Sequence, residues 1–478
     1  MDKQICIDCS FGLTRAAVVE DGLLRELMYE RSSEKKLTET LFLGRVEQIR
    51  PSVGAAFVNI GEELNAFLPI EEHHSLRCGD MIIVQGAAKQ SVETKGLRVT
   101  DRINLAGKWL VLVPESSGVH VSKKVKDASL REMLLSIGKE ICPAGCGVII
   151  RTASEEVTEE ALKEEAETLF SQWLLIQKKA LSERKPCILN ERIPLDLRIV
   201  RDYSGKELSE IITNDLSCFK RLCLEKESGR IPSQTQIRWF EEKDQLLFDV
   251  FSIETQIDKA LKKRVWLPCG GYLIIEPCEA LTVIDVNSGK MTLGKDSEDT
   301  AFQVNMEAAE EIARQLRLRD ISGIVVVDFI DMMQTEHREQ VSDCMKKAVQ
   351  SDRAPVKLEG FSKLGLLELT RKRVNGTLLK THKSTCTYCS GNGMILSPVE
   401  VALRALRQVK RMVLSGHRGP FLIKCAPLVA SALSEMSSGL PCPVYACPTP
   451  SRHAERYEIE QIGEQAPIPS GAVQIKKD

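Results

Sequence analysis

No apolar run in this 478-residue chain approaches the roughly 20 residues needed to span a bilayer. Its first residues, Met1-Asp-Lys-Gln, lack the basic and apolar regions of a secretory signal. Both absences lead to the expectation of a cytoplasmic protein. Net charge is nearly absent too: 65 Lys and Arg against 67 Asp and Glu leave −2 at neutral pH. That balance excludes the overall basic character of many polyanion binders and leaves local patches open. Nor is there a cysteine framework. The 16 cysteines are scattered, and Cys6, Cys425 and Cys447 lie within apolar runs, as expected of buried thiols in a reducing compartment. No glycine-rich loop of the phosphate-gripping kind occurs, which argues against a nucleotide triphosphatase.

What is present fits a soluble globular protein, with 43% hydrophobic and 28% charged residues, and the length predicts three or four domains. Basic clusters recur at Lys123, Lys124 and Lys126, at Lys262, Lys263 and Arg264, at Arg314, Arg317 and Arg319, and at Arg371, Lys372 and Arg373. One such cluster is usually a solvated face; their repetition points to a polyanionic substrate.

The most informative stretch runs from Gly270 to Met332. Two short apolar strands joined at Pro277-Cys-Glu are followed by a helix, on which Phe302, Met306, Ala309, Ile312, Ala313 and Leu316 recur at helical spacing. A third strand then ends at Asp328. A strand, crossover helix, strand unit places the ends of both strands at one sheet edge, so Asp285 and Asp328 should face each other. Adjacent carboxylates repel unless one takes a proton or both share a cation, and hard oxygens with water around them suit magnesium. Asn287 lies on the same side of the strand as Asp285 and can orient a carboxylate or touch substrate phosphate, with Asp331 a supporting carboxylate. Read singly, either aspartate would merely start a turn or cap a helix.

The N-terminal hairpins, with a turn at Asp21-Gly22, resemble the opening of ribonuclease-H-like folds. From Thr40, short strands at tight spacing predict an oligonucleotide-binding barrel carrying Phe57 and Phe67, which are either core or rings for stacking unpaired bases. Lys95, in a glycine-bearing loop, is placed to meet backbone phosphate. Strands at Leu110–Pro114 and Gly147–Thr152 follow, and the second ends in Arg151-Thr152, a guanidinium beside a hydroxyl suited to a terminal phosphate. A charged helix should run from Glu155 to about Ala180, and Leu197–Asp202 should add a strand to the N-terminal sheet, making the barrel an insertion. Cys386-Thr-Tyr-Cys389 has zinc-ligand spacing, whereas Cys6 and Cys9 lie on a strand and point to opposite faces. Zinc needs four ligands. His382 offers one more, and the simplest completion is the same cysteine pair of a second subunit; a redox pair is the alternative.

Together these motifs resemble the ribonuclease E/G family of bacterial endoribonucleases, up to about Gly393. The resemblance rests on Ala55-Ala-Phe-Val, Ala66-Phe-Leu-Pro, Leu105-Ala-Gly, Val148-Ile-Ile-Arg-Thr, Leu281-Thr-Val-Ile-Asp-Val-Asn-Ser, Asn305 to Asp320, Val327-Asp-Phe-Ile-Asp-Met, Gly365-Leu-Leu-Glu and the Cys386 knuckle. It implies a mixed α/β multidomain architecture. A ribonuclease-H-like domain (1–36 and 196–261) would be interrupted by an oligonucleotide-binding barrel (37–110) and a 5′-sensor region (111–195). A DNase-I-like catalytic domain (262–379), a zinc link (380–395) and a small C-terminal domain (396–478) would follow. By the resemblance, Asp285 and Asp328 bind Mg2+ with Asn287 in support, and Gly107, Val111, Arg151 and Thr152 form a pocket for an RNA 5′-monophosphate. Cys386 and Cys389 hold Zn2+ between subunits of a homodimer or homotetramer. The implied activity is cleavage of single-stranded RNA, both rRNA precursors and mRNA, leaving 5′-phosphate and 3′-hydroxyl ends. Two positions depart from the pattern: Pro355 stands where the family offers a further arginine to the phosphate pocket, and Thr387 replaces a proline in the knuckle. No long scaffold arm follows the last small domain, so the short, ribonuclease-G-like form is expected.

Overall fold

The computed structural model describes the chain except residues 1, 34, 36, 71–75, 88–95, 156, 290–296, 374–376 and 477–478. Strands Lys3–Ser10, Leu13–Glu20 and Leu23–Arg31 form an antiparallel meander. Its two tight turns, Phe11-Gly12 and Asp21-Gly22, have both central residues at positive φ, the backbone a two-residue hairpin needs to follow strand twist. The first strand is joined in parallel by Leu208–Thr213, and that strand by Gln236–Trp239. The chain between residues 31 and 208 therefore leaves this sheet and returns to it.

The strand expected at Leu197–Asp202 is instead part of helix Leu195–Tyr203. Leu195, Ile199 and Tyr203 recur every fourth residue and are buried against the sheet, and Pro194 immediately before the helix costs it no hydrogen bond. Burial at helical spacing outweighs the strand preference of Ile199 and Val200.

Strands Leu41–Arg50, Ala55–Asn59, Ala66–Pro69, Met81–Gly86 and Val99–Thr100 form the second sheet, with Cys187–Asn190 added to the first of them. A bridge between Phe67 and Arg98 brings its ends together into a nearly closed barrel around Phe42, Val58, Leu68 and Val84. The next sheet orders Gly118–Val121, Cys146–Ile150, Leu110–Pro114 and Leu105–Ala106. Helix Glu159–Ser182 covers it with Leu162, Ala166, Leu169, Trp173 and Ile176, the face expected from the sequence.

The fourth sheet runs Arg264–Trp266, Tyr272–Pro277, Leu281–Asn287, Gly323–Asp328, Leu366–Arg371, Val356–Phe361. Leu273, Ile275, Ile284, Val286, Val325, Val327, Leu367 and Leu369 alternate onto one face and pack with helices Ser297–Leu318 and Thr335–Ala348 through Val304, Ile312, Leu316, Val341 and Met345. Their neighbours point the other way, where Val283, Ile324 and both aspartates are exposed. One face is thus core and the other is open.

Several of the expected basic patches are internal. Arg314 pairs with Glu311, Arg317 with Glu26, and buried Arg371 with Asp352 and Asp320, while Arg319 is 2% exposed and bonds Gln315 and the Lys262 carbonyl. These arginines hold the fold rather than a ligand. Residues His382–Asp478 form a second compact unit, a four-stranded sheet with helices Pro398–Leu414 and Pro427–Glu435. No described helix is long and apolar enough to cross a membrane.

Candidate active site and phosphate pocket

Asp285 and Asp328 occupy matching positions on neighbouring parallel strands. Because directly opposed residues point to the same face, both carboxylates stand on the open side of the sheet. Asn287 continues the strand on that face and donates through Nδ2 to Asp285 Oδ2 at 2.8 Å. The Asp328 carboxyl titrates above the ordinary range, first through partial burial and then through the charges of Asp285 and Asp331. Such repulsion is relieved by a shared cation. Among the described residues no group of three or more His, Cys, Asp and Glu is placed to hold a metal, so two carboxylates with water completing the shell is the set available here. That donor set fits magnesium, which keeps several waters and takes one or two carboxylates.

The loop beyond Asp328 is pinned from the helix. Buried Asn305 donates from Nδ2 to the Ile330 carbonyl at 2.8 Å and accepts the Ile330 amide at 3.1 Å, while Glu298 accepts the amides of Met333 and Gln334. Sequence reading assigned Asn305 no role, although an amide on the apolar face of a helix was the available signal.

The second constellation gathers on the strand pair Leu110–Pro114 and Cys146–Ile150, where Val111 sits opposite Ile149 and Ala106. Arg151 donates from Nη1 to the Gly107 carbonyl at 2.6 Å and from Nη2 to Asp202 Oδ1 at 3.0 Å. The Thr152 hydroxyl lies 3.2 Å from that of Ser122. Gly107 has no room for a side chain, since an added Cβ would fall 2.5 Å from the Glu165 carboxyl carbon. Glu165 itself accepts the amides of Lys108, Trp109 and Leu110, which fixes the turn.

Asp202 is the anchor that sequence reading missed. Arg151, Arg201 and Arg353 all pair with it, Arg353 from Nη2 to Oδ2 at 2.9 Å. Burial alone would raise the pKa of this carboxyl, but Arg353, Arg201 and Arg151 outweigh it and hold the group well below the usual carboxylate range. Three guanidiniums around one carboxylate leave an excess of positive charge beside Thr152. Pro355 carries no charge, and Arg353, two residues earlier, brings a cation to Asp202.

On the barrel, Phe57 and Phe67 are cross-strand neighbours with ring centroids 6.1 Å apart in an edge-to-face arrangement, and neither is fully buried. Lys95 lies outside the described residues. In the second unit, Cys386 and Cys389 are followed by a turn in which Ser390, Gly391 and Gly393 have positive φ and the Gly393 amide donates to Cys389 Sγ at 3.3 Å. Amides of Cys389 and Tyr388 lower the pKa of the exposed Cys386 thiol, as suits a metal-binding thiolate.

Comparison with known proteins places these residues in a family. The ribonuclease E/G family model matches residues 104–374, which contain both constellations, while Cys386, Cys389 and the barrel phenylalanines lie outside that span. Ribonuclease G of Escherichia coli (strain K12) is 33% identical over 454 residues, covering 91% of this chain and 92% of that protein. Ribonuclease G of Haemophilus influenzae is 35% identical over 450 residues, or 89% of this chain and 91% of its own. Ribonuclease E of Nostoc sp. is 38% identical over 410 residues, 82% of this chain and 59% of the longer relative. The chain therefore belongs to the ribonuclease E/G family and is an endoribonuclease.

Proposed function

We propose that this chain is a magnesium-dependent, cytoplasmic endoribonuclease of RNA processing and decay. It cuts single-stranded rRNA precursors and mRNA, favours substrates with a 5′-monophosphate, and leaves 5′-phosphate and 3′-hydroxyl ends. The observation that carries this reading is the side-by-side register of Asp285 and Asp328 on an open sheet face. Asp285 and Asp328 would hold the ion, and Asn287 keeps the Asp285 carboxylate turned toward the shared position. Bound magnesium supplies charge that favours deprotonation of an attacking water and stabilises the phosphoryl oxygens. Water adds to phosphorus and gives up a proton, the P–O3′ bond breaks, and the 3′ oxygen takes a proton from solvent and leaves as hydroxyl, so the phosphate stays on the 5′ oxygen of the downstream fragment. Phe57 and Phe67 stack unpaired bases on the barrel, and Arg151, Thr152, Gly107 and Val111 receive the 5′-phosphate.

This assignment reads the first sheet as the ribonuclease-H-like domain, the barrel as its oligonucleotide-binding insertion, and the fourth sheet with its helices as the DNase-I-like catalytic domain. The test is cleavage of an end-labelled single-stranded RNA by purified protein with magnesium and with chelator. Magnesium-dependent internal cuts whose downstream products accept a ligase at the 5′ end support it; cutting that persists in excess chelator overturns it.

Zinc has a separate site in this reading. Each subunit offers two thiolates at Cys386 and Cys389, and a tetrahedral ion needs four, so two subunits would share one zinc. Changing both cysteines to Ser should remove the metal and lower the subunit number in native mass spectrometry, because zinc and oligomer are one equilibrium. A wild-type protein without zinc, or a double variant with unchanged subunit number, rules the shared site out.

A further inference from the structure

Trp266 is 59% exposed on the edge strand of the fourth sheet, an unusual position for the largest apolar side chain. Its surroundings are ordered. Trp266 is paired in register with Tyr272, and Tyr272 with Asn287, so the three form one row across three strands. The adjacent row is Arg264, Ile274, Asp285, Asp328. Opposed residues on neighbouring strands share a face, and so do alternate residues of one strand. Arg264, Trp266 and Tyr272 therefore stand on the same open face as the two aspartates. Two strand spacings separate Trp266 from Asn287, about 10 Å.

The three side chains are already assembled. The rings of Trp266 and Tyr272 meet edge-on at 5.3 Å, and the Arg264 guanidinium lies 4.5 Å from the Tyr272 ring centre and 5.7 Å from that of Trp266. Held side chains lose little freedom when a ligand arrives. We propose that Arg264, Trp266 and Tyr272 form a base-stacking subsite that grips one nucleotide of single-stranded RNA close to the bond being cut. This rests on the reading that Asp285 and Asp328 mark that bond. An indole face accepts any unpaired base, and a guanidinium beside it pairs with the adjoining phosphate. Lys262 and Lys263 precede Arg264, and although Lys263 pairs with Glu276 at 3.0 Å, three cations against that one carboxylate leave this edge of the sheet suited to a polyanion rather than to a second copy of the chain.

The experiment measures binding of a short 5′-hydroxyl single-stranded RNA by fluorescence anisotropy, at fixed salt and without added metal. A 5′-hydroxyl end gives the phosphate pocket nothing to pair with. Trp266→Ala should weaken binding about tenfold, the usual worth of one stacked base, and Trp266→Phe should restore most of it. In a series of RNAs with single abasic positions, one position near the cleavage site should abolish the difference between wild type and Trp266→Ala. Unchanged affinity of Trp266→Ala overturns the proposal, and so does an equal loss on every abasic RNA. A change of subunit number on light scattering also overturns it, since the ring would then serve a contact between copies. Binding is read without cleavage, so this result stands apart from the fate of the aspartates: turnover by Asp285→Asn would refute the metal site and leave the stacking measurement intact.

Discussion

Asp285→Asn and Asp328→Asn are each expected to slow RNA cleavage by on the order of a thousandfold while RNA affinity stays within about twofold. The amide is the size of the carboxylate and keeps a carbonyl oxygen, so the hydrogen bond from Asn287 to position 285 can persist. What disappears is a negative charge placed beside another. Both residues are exposed and lie off the packed face of the sheet, so their replacement leaves the apolar core untouched. Because the Asp328 carboxyl is raised partly by the neighbouring Asp285 charge, removing that charge relieves repulsion. The melting temperature should therefore hold or rise slightly while activity collapses, the pattern of a residue kept for chemistry at some expense of stability. Asn287→Ala should fall between wild type and the aspartate variants, since it orients a ligand without being one. Initial rates with saturating magnesium, measured beside anisotropy and thermal melts, give the answer. Near-wild-type turnover by either aspartate variant would remove this pair from the chemistry.

Much of this site was legible because its sequence signal is local. An apolar run ending in an acid fixes both a strand and the place of the carboxylate on it, and strand periodicity then orients Asn287 as well. Parallel pairing of Leu281–Asn287 with Gly323–Asp328 followed from the intervening helix, whose apolar spacing is unambiguous. Charge was harder to read, because sequence does not say which face an arginine takes. Arg314, Arg317 and Arg371 looked like patches for a polyanion, yet most of their acidic partners, Glu26, Asp320 and Asp352, come from other segments of the chain. Asp202 went unnoticed for the same reason: its arginines lie at positions 151, 201 and 353, and only the fold brings them together. The row of Trp266, Tyr272 and Asn287 needs strand register, and register depends on turns whose geometry the sequence only partly constrains.

That arginine cluster is expected to govern the second large effect, a choice among RNA 5′ ends. A 5′-monophosphate carries nearly two charges and is small enough to meet a guanidinium, a hydroxyl and backbone donors at once, while a hydroxyl end offers nothing to pair and a triphosphate is bulkier. Wild type should cut the monophosphorylated form of one RNA fastest. Arg151→Ala should lose roughly 1.5 to 3 kcal/mol of that preference, a ten- to hundredfold drop in relative rate, and keep the slow cleavage of 5′-hydroxyl RNA. Asp202 would retain Arg201 and Arg353, so the variant is not left with a bare buried carboxylate and its melting temperature should change little. Arg353 is bound to Asp202 from outside the strand pair and is more exposed than Arg151. Arg353→Ala should therefore cost a smaller part of the preference. The measurement compares initial rates on monophosphate, triphosphate and hydroxyl forms of one RNA for wild type, Arg151→Ala and Arg353→Ala. Equal rates on all three ends with wild type would make Arg151 and Thr152 structural, with the positive charge around Asp202 serving only to join the strand pair Leu110–Pro114 and Cys146–Ile150 to its neighbours.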